Sequence, residues 1–207
     1  QQVKKYIKFT DRIVITKILK STNDEQDLYN KITNKVQEYY DSGYDILYLM
    51  IIQRLISSST ESTKRALFKM RKSGLFGEDD YQELMEIANR IELDTKTRDL
   101  VDVIKEQKNS KFLIFTEFYA TQDYLAKILS ENGYSVTLFN GKMSLPERAE
   151  SVEKFRNQSQ IMISTTAGGE GQNFQFCHNV VNYDLPWNPM RIEQRVGRVH
   201  RIGQKND

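Results

Sequence analysis

From Lys111 to Tyr183, short apolar runs alternate with helix-type stretches, and no other feature limits the possible folds as much. The runs are Phe112–Thr116, Ser135–Phe139, Ile161–Ser164 and Val180–Tyr183. The first reads F-L-I-F-T, as in a parallel strand buried on both faces. Between the first two lies an amphipathic stretch, Thr121–Asn132, closed by Gly133. Between the next two, Pro146 sits in the first turn of a helix running to about Asn157. Strand–helix alternation of this kind predicts a doubly wound α/β domain with a parallel sheet. Its ligand site belongs at the C-terminal ends of the strands.

Before Lys111 the pattern is mainly helical and strongly charged. Val3–Ile18 reads as extended, with two β-rich runs, Tyr6–Phe9 and Ile13–Thr16. Thr22 and Glu25 form a capping-box pattern for a helix over about Asp24–Asp41, with Leu28, Ile32, Val36 and Tyr39 as its apolar stripe. Asp45–Ile56 is apolar on most sides and predicts a buried helix. Ser57–Ser59 breaks the pattern, and further helices are expected up to Ser73, from Glu78 to about Ile91, and over Lys96–Gln107 with Leu100, Val103 and Ile104 inward. The chain therefore divides into an extended linker (1–20), a helical segment (21–110) and an α/β domain (111–207), and reads as a piece of something longer.

Composition removes several function classes. Net charge is only +2, so no bulk electrostatic pull on nucleic acid is expected. The lone Cys177 excludes an internal disulfide, and with His178 and His200 as the only histidines it excludes a zinc cluster. Such cysteine usage fits a reducing compartment. No apolar run is long enough to span a membrane, and the charged stretch Gln1–Lys20 is not a signal peptide.

Charge is concentrated instead. Between Met190 and Lys205, four arginines and one lysine face one acid, Glu193. Within Q-R-V-G-R-V-H-R-I-G-Q, Arg195, Arg198 and Arg201 stand three residues apart, which on a helix places them on adjoining turns of nearly one face. Planar cations so arranged suit phosphate. A solvated basic face is the ordinary alternative, but Gly197 and Gly203 each weaken a helix by about 0.5–1 kcal/mol and serve no solubilising purpose.

Two further segments follow strands. Thr165–Asn173 reads T-T-A-G-G-E-G-Q-N, a loop whose glycines let backbone N–H groups approach a phosphate or ribose. Taken alone, such a cluster is better explained by a plain tight turn, and it is no dinucleotide fingerprint, since Phe174 stands where the third glycine belongs. Asp184–Pro189 reads D-L-P-W-N-P, with two prolines bracketing the only tryptophan. Trp187 is expected to pack beneath the arginine helix in preference to touching a nucleic-acid backbone. Two apparent motifs fall away. Asp24–Asp27 resembles a magnesium box but follows no apolar strand, and helix capping explains it better. Gly141-Lys142 is no P-loop, because Val136 and Met143 occupy key positions, and the chain has no Walker A sequence.

On these segments the second half resembles the C-terminal RecA-like domain of superfamily 2 helicases, and within them the Swi/Snf-type translocases. Lys111–Phe118 is similar to motif IV, and Gly141–Arg148 to the G-x-x-x-x-x-E-R stretch. Ile163–Asn173 is similar to motif V, Asp184–Pro189 to the D-L-P-W-N-P signature, and Gln194–Gln204 to motif VI ending in R-I-G-Q. Leu28-Tyr29 and Gln53-Arg54-Leu55 resemble the helical segment joining the two lobes in bacterial members. The subgroup of the RNA-polymerase-associated ATPase is nearest. Gly197, where many eukaryotic members carry Asp, favours the bacterial branch.

The resemblance implies a RecA-like doubly wound parallel sheet, the second helicase lobe, preceded by a mainly helical extension. It implies ATP with Mg2+ bound between this lobe and a first RecA-like lobe of the full-length chain, which would carry the P-loop lysine and the Mg2+ ligands. Arg198 and Arg201 would be arginine fingers. Gln194, Gly169, Gly171 and Asn173 would contact the nucleotide, and Thr116, Thr165, Thr166, Trp187 and Arg191 the backbone of double-stranded DNA. RNA polymerase or another DNA-bound complex is the implied partner, with no membrane, and the bacterial cytoplasm and nucleoid (or a eukaryotic nucleus) the implied location. A non-catalytic scaffold on a degenerate RecA-like fold, or a strand-separating helicase, are the alternatives. Retention of Arg198, Arg201 and the motif V glycines speaks against the scaffold, and D-L-P-W-N-P with R-I-G-Q against strand separation.

Overall fold

The computed structural model describes residues 12–165 and 173–199. The run Tyr6–Phe9 and the motif residues Thr166, Gly169, Gly171 and Arg201 lie outside the described residues. The chain forms two compact units, residues 18–102 and residues 1–17 with 103–207. The boundary falls inside a helix rather than at the change of pattern near Lys111.

The first unit holds α1 (Asn23–Asp41), α2 (Ile46–Ser58), α3 (Thr60–Lys72) and α4 (Glu78–Arg90), and α5 (Thr95–Glu106) begins in it. The capping box is formed: Glu25 N donates to Thr22 Oγ1 at 3.3 Å and Thr22 N donates to Glu25 Oε2 at 2.6 Å. Leu28, Ile32 and Val36 of α1 share a core with Leu49 and Ile52 of α2, Leu67 and Met70 of α3, and Leu84 and Ile87 of α4. Gly43 releases the chain from α1 at φ 89, a conformation that costs other residues steric energy. Two expectations fail here. The second helix is buried on one side only, with Ile46, Leu47 and Ile51 exposed, because the core meets it through Leu49 and Ile52, with Leu55 and Ile56 packed against its margin. On α5 the inward residue is Val101, not Val103, since Thr97, Leu100, Val101 and Ile104 follow helical spacing.

Glu25 does more than cap. Its carboxylate also accepts from Thr95 N and Thr95 Oγ1, both at 2.6 Å, tying the start of α1 to the start of α5. Burial alone would push this carboxyl up, but the Thr95 and Thr22 donors outweigh it and hold it below the ordinary range. A depressed folded-state pKa contributes stability above the unfolded value that is lost as pH falls through the folded one. Glu25→Gln is therefore expected to cost roughly 1–2 kcal/mol at neutral pH. The gap to wild type in urea midpoint should close as pH falls through the depressed folded-state value of this carboxyl. A gap that persists unchanged at acid pH would mean the carboxylate charge is not what these donors hold.

The second unit is built on β1 (Phe112–Thr116), β2 (Val136–Phe139), β3 (Ile161–Thr165) and β4 (Asn179–Asn182), all parallel, in the order β2-β3-β1-β4. Helices α6 (Tyr119–Glu131), α7 (Leu145–Asn157) and α8 (Met190–Val196) complete it. Ile13–Thr16 forms no strand; Ile13, Val14 and Ile15 are exposed. Register sets Thr116 beside Thr165 and Phe115 beside Asn182, so the loops after β1, β3 and β4 leave from one edge. Phe174 is a core residue rather than a failed glycine, edge-on to Phe139, Phe155 and Phe176. The G-x-x-x-x-x-E-R stretch proves structural. Glu147 closes a capping box on Ser144, and Arg148 donates to the carbonyls of Met143 at 3.0 Å and Gly141 at 3.1 Å.

Candidate functional site

The C-terminal edge of β1 and β4 is joined by one carboxylate. Asp184 Oδ2, buried, accepts from Thr116 Oγ1 at 2.6 Å and from Glu117 N at 3.0 Å. Tyr183 N and Asp184 N in turn donate to Phe115 O at 2.9 and 3.2 Å, carrying the strand pairing past the end of β4.

Arg195 completes the junction from α8. It is 2% exposed, among the largest fully buried side chains. One terminal nitrogen donates to Asn182 Oδ1 at 2.8 Å and to the Asp184 carbonyl at 2.9 Å. The guanidinium lies 5.0 Å from the centre of the Phe115 ring, a cation–π distance. Burial pushes its pKa down to about 10, with Asp184 opposing and Arg191 and Arg198 adding, so it stays charged at neutral pH.

Arg198 lies against the same ring, its guanidinium carbon 5.9 Å from the Phe115 centroid. Its carbonyl accepts from Phe174 N at 3.0 Å, which ties the exit of the glycine-rich loop to the arginine segment. The helix does not carry the arginines as one continuous face. It ends at Val196, with Gly197 at the cap, and Arg198 and Val199 continue in turns bonded to Arg195 O and Val196 O. Arg195, Asn182, Asp184 and Thr116 thus bond to one another at one strand edge, and Arg198 lies beside them against Phe115.

The other expected residues sit around this junction. Gln194 and Arg191 are exposed on α8. Asn173 is exposed, its side chain bridging to Gln175 N and Gln175 Oε1 at 3.1 Å each. Thr116 and Thr165 are buried; the one donor of Thr116 is committed to Asp184, and a direct phosphate contact would have to break that bond. Thr165 Oγ1 is a buried hydroxyl with no hydrogen-bond partner among the described residues. Trp187 is 62% exposed, so the expectation that it packs beneath the arginine helix is not met. Leu185 and Met190, close to it in the chain, are exposed as well. Among the described residues no group of three or more His, Cys, Asp and Glu is arranged to hold a metal. No helix there is long and apolar enough to cross a membrane.

The sequence leaves Asn182 unmarked, gives Asp184 only as part of D-L-P-W-N-P, and presents Arg195 as a phosphate-type cation rather than a buried support. A signal existed for Arg195: with Ile192, Val196 and Val199 it falls on the i, i+3, i+4, i+7 positions of an inward stripe. No sequence pattern marks Asn182, whose partner lies thirteen residues on.

Residues 95–203 match the family described as the helicase conserved C-terminal domain. Over 206 residues, 97% of its length, the chain is 37% identical to the "Uncharacterized ATP-dependent helicase YqhH" of Bacillus subtilis, spanning 37% of that protein. It is 35% identical over 163 residues to the RNA polymerase-associated protein RapA of Haemophilus influenzae, 76% of this chain and 17% of that one. The chain thus spans about a third or less of the length of these relatives. Among solved structures, the C-terminal part of the Fun30 ATPase domain superposes with a TM-score of 0.69 at 20% identity, covering 92% of this chain and 80% of that one. The Pyrococcus furiosus Hef helicase domain gives 0.65 at 17% identity, covering 98% and 56%. At those identities the likeness concerns the fold.

Proposed function

The chain belongs to the helicase conserved C-terminal domain family, in its Swi/Snf-type branch, and on that premise we propose that it is the second motor lobe of an ATP-dependent double-stranded DNA translocase. The observation that carries this assignment is the junction of Thr116, Asp184, Arg195 and Arg198, which brings three of the motifs to one sheet edge.

Mg2+-bound ATP would supply the phosphoryl group whose transfer drives movement. Arg198 and Arg201 act as fingers, placing guanidinium charge where negative charge develops on the γ-phosphate. Gln194 orients the nucleotide from the exposed side of α8, and Gly169, Gly171 and Asn173 meet it or couple it to DNA. Arg195 is not a finger: it holds α8 against β4 so that Arg198 is presented from a fixed base. On the DNA side, exposed Trp187 and Arg191 touch the backbone directly, with Thr166; Thr165 is buried and would join them only if the strand end were uncovered. Thr116 contributes through Asp184. Contacts of this kind position phosphates without reading bases. The RapA relatives are RNA polymerase-associated by name, and a DNA-bound complex of that kind is the proposed partner.

The 207-residue chain alone is expected to hydrolyse no ATP above background, because its sequence holds no Walker A lysine to neutralise the developing charge. DNA-stimulated turnover by this chain that survives combined Arg198→Ala and Arg201→Ala would overturn the site assignment. With the full-length protein, ATP-driven displacement of a third strand from a triplex, without duplex unwinding, is the expected signature. Unwinding of a plain duplex instead would move the protein to the strand-separating class.

A further inference from the structure

We propose that the outward face of α3 is a second polyanion-binding surface, and that its occupant is the phosphate backbone of duplex DNA. Five cations lie on this helix, Lys64, Arg65, Lys69, Arg71 and Lys72, against one acid, Glu61. Ser62, Thr63, Ala66, Leu67 and Met70 form its buried side, which turns Arg65, Phe68, Lys69 and Lys72 outward, where all four are exposed.

The rest of this unit treats its cations differently. Lys31 pairs with Glu83, Lys35 with Asp80 at 3.1 Å, and Arg90 with Asp24 at 2.9 Å, each across two helices. On α3, Arg65 pairs with Glu61 and Arg71 with Glu78, both at 3.1 Å. Lys64, Lys69 and Lys72 form no ion pair among the described residues. A face that served only solubility would be expected to mix signs, as α1 and α4 do. Phe68 stands among these lysines, 50% exposed, with the Arg71 guanidinium 5.6 Å from its ring centre.

Geometry fits a regular polyanion. Lys64 and Lys72 are eight residues apart, about 12 Å along a helix axis. That is on the order of three to four base-pair rises along one DNA strand, so the lysines, spread around the outward side of the helix, span a few adjacent phosphates. Ammonium groups at such spacing neutralise phosphates without specifying bases. DNA as the occupant rests on the translocase assignment; the unmatched charge does not.

The test is duplex binding by the 207-residue chain across a salt series, read by fluorescence anisotropy on random-sequence DNA. Each phosphate neutralised contributes about 0.9 to the slope of log affinity against log salt. The variant Lys64→Gln/Lys69→Gln/Lys72→Gln is expected to lower that slope by about 2 to 3. Lys69→Glu/Lys72→Glu, which reverses charge at exposed positions without touching the core, should reduce affinity further while helix content by circular dichroism stays at the wild-type level. An unchanged slope in both variants overturns the surface. If Trp187→Ala/Arg191→Ala then still loses duplex affinity, the translocase assignment survives that failure. Equal loss of binding to duplex and to polyglutamate, with polyglutamate bound as tightly as DNA by wild type, would make the occupant an acidic protein and overturn the DNA assignment of this face.

Discussion

In the full-length protein, Arg198→Ala and Arg201→Ala are each expected to lower kcat by on the order of 10³-fold or more while ATP still binds. A finger acts on charge in the transition state, so its loss falls on turnover more than on ground-state affinity. The geometry around Arg198 supports this role. Its guanidinium rests against the Phe115 ring and its backbone is pinned by Phe174 N, so the side chain starts from a fixed position. Lysine at either position should not rescue, because a point charge does not reproduce the guanidinium fork. Steady-state ATPase with saturating DNA, beside nucleotide binding by fluorescence, separates the two effects. Near wild-type kcat in Arg201→Ala would leave the role to Arg198 alone. Near wild-type kcat in the double variant would make the whole arginine segment structural.

Arg195→Met should act through folding instead. It removes a buried cation and leaves Asn182 Oδ1 and the Asp184 carbonyl without their donor. A buried acceptor stripped of its partner costs about 1–3 kcal/mol, so the expected loss is roughly 2–5 kcal/mol. The sequence has one tryptophan, Trp187, which lies in the α/β unit and makes its fluorescence a reporter for that unit. For a chain of this size the loss corresponds to a fall of about 4–20 °C in the Trp187-reported midpoint. Arg195→Lys should recover only part, since an ammonium on a differently shaped stem does not reproduce the flat contact of the guanidinium with Phe115. A midpoint within about 2 °C of wild type would show that the Arg195 bonds contribute little net stability against the cost of burying the charge.

The contrast between these two arginines shows how far the site was legible. Both stand in one motif, three residues apart, and the sequence marks both as phosphate-type cations. Arg195 is committed to the strand ends instead. Arg195 points into the unit with Ile192 and Val196 on its side of α8, and the strand ends offer it an amide oxygen, a carbonyl and an aromatic face. Trp187 inverts in the opposite direction. Its size argues for burial, but it stands exposed on the surface. Thr116 passes from an expected phosphate contact to a support for Asp184, a residue 68 positions away.

By itself the sequence determined what short-range chemistry controls. The capping box at Thr22 and Glu25, the turns at Gly43, Gly74 and Gly133 with positive φ, and the apolar runs that became β1 to β4 all depend on neighbours within a few residues. Helix and strand follow from such local terms together with periodicity. Tertiary structure alone decided the strand order β2-β3-β1-β4, the partition of motif residues between the interior and the edge, and the unmatched face of α3. Parallel pairing joins residues about fifty to seventy positions apart, as in Thr116 with Thr165 and Phe115 with Asn182. Which polar groups lose water, and which partner repays that loss, is known only once those distant segments meet.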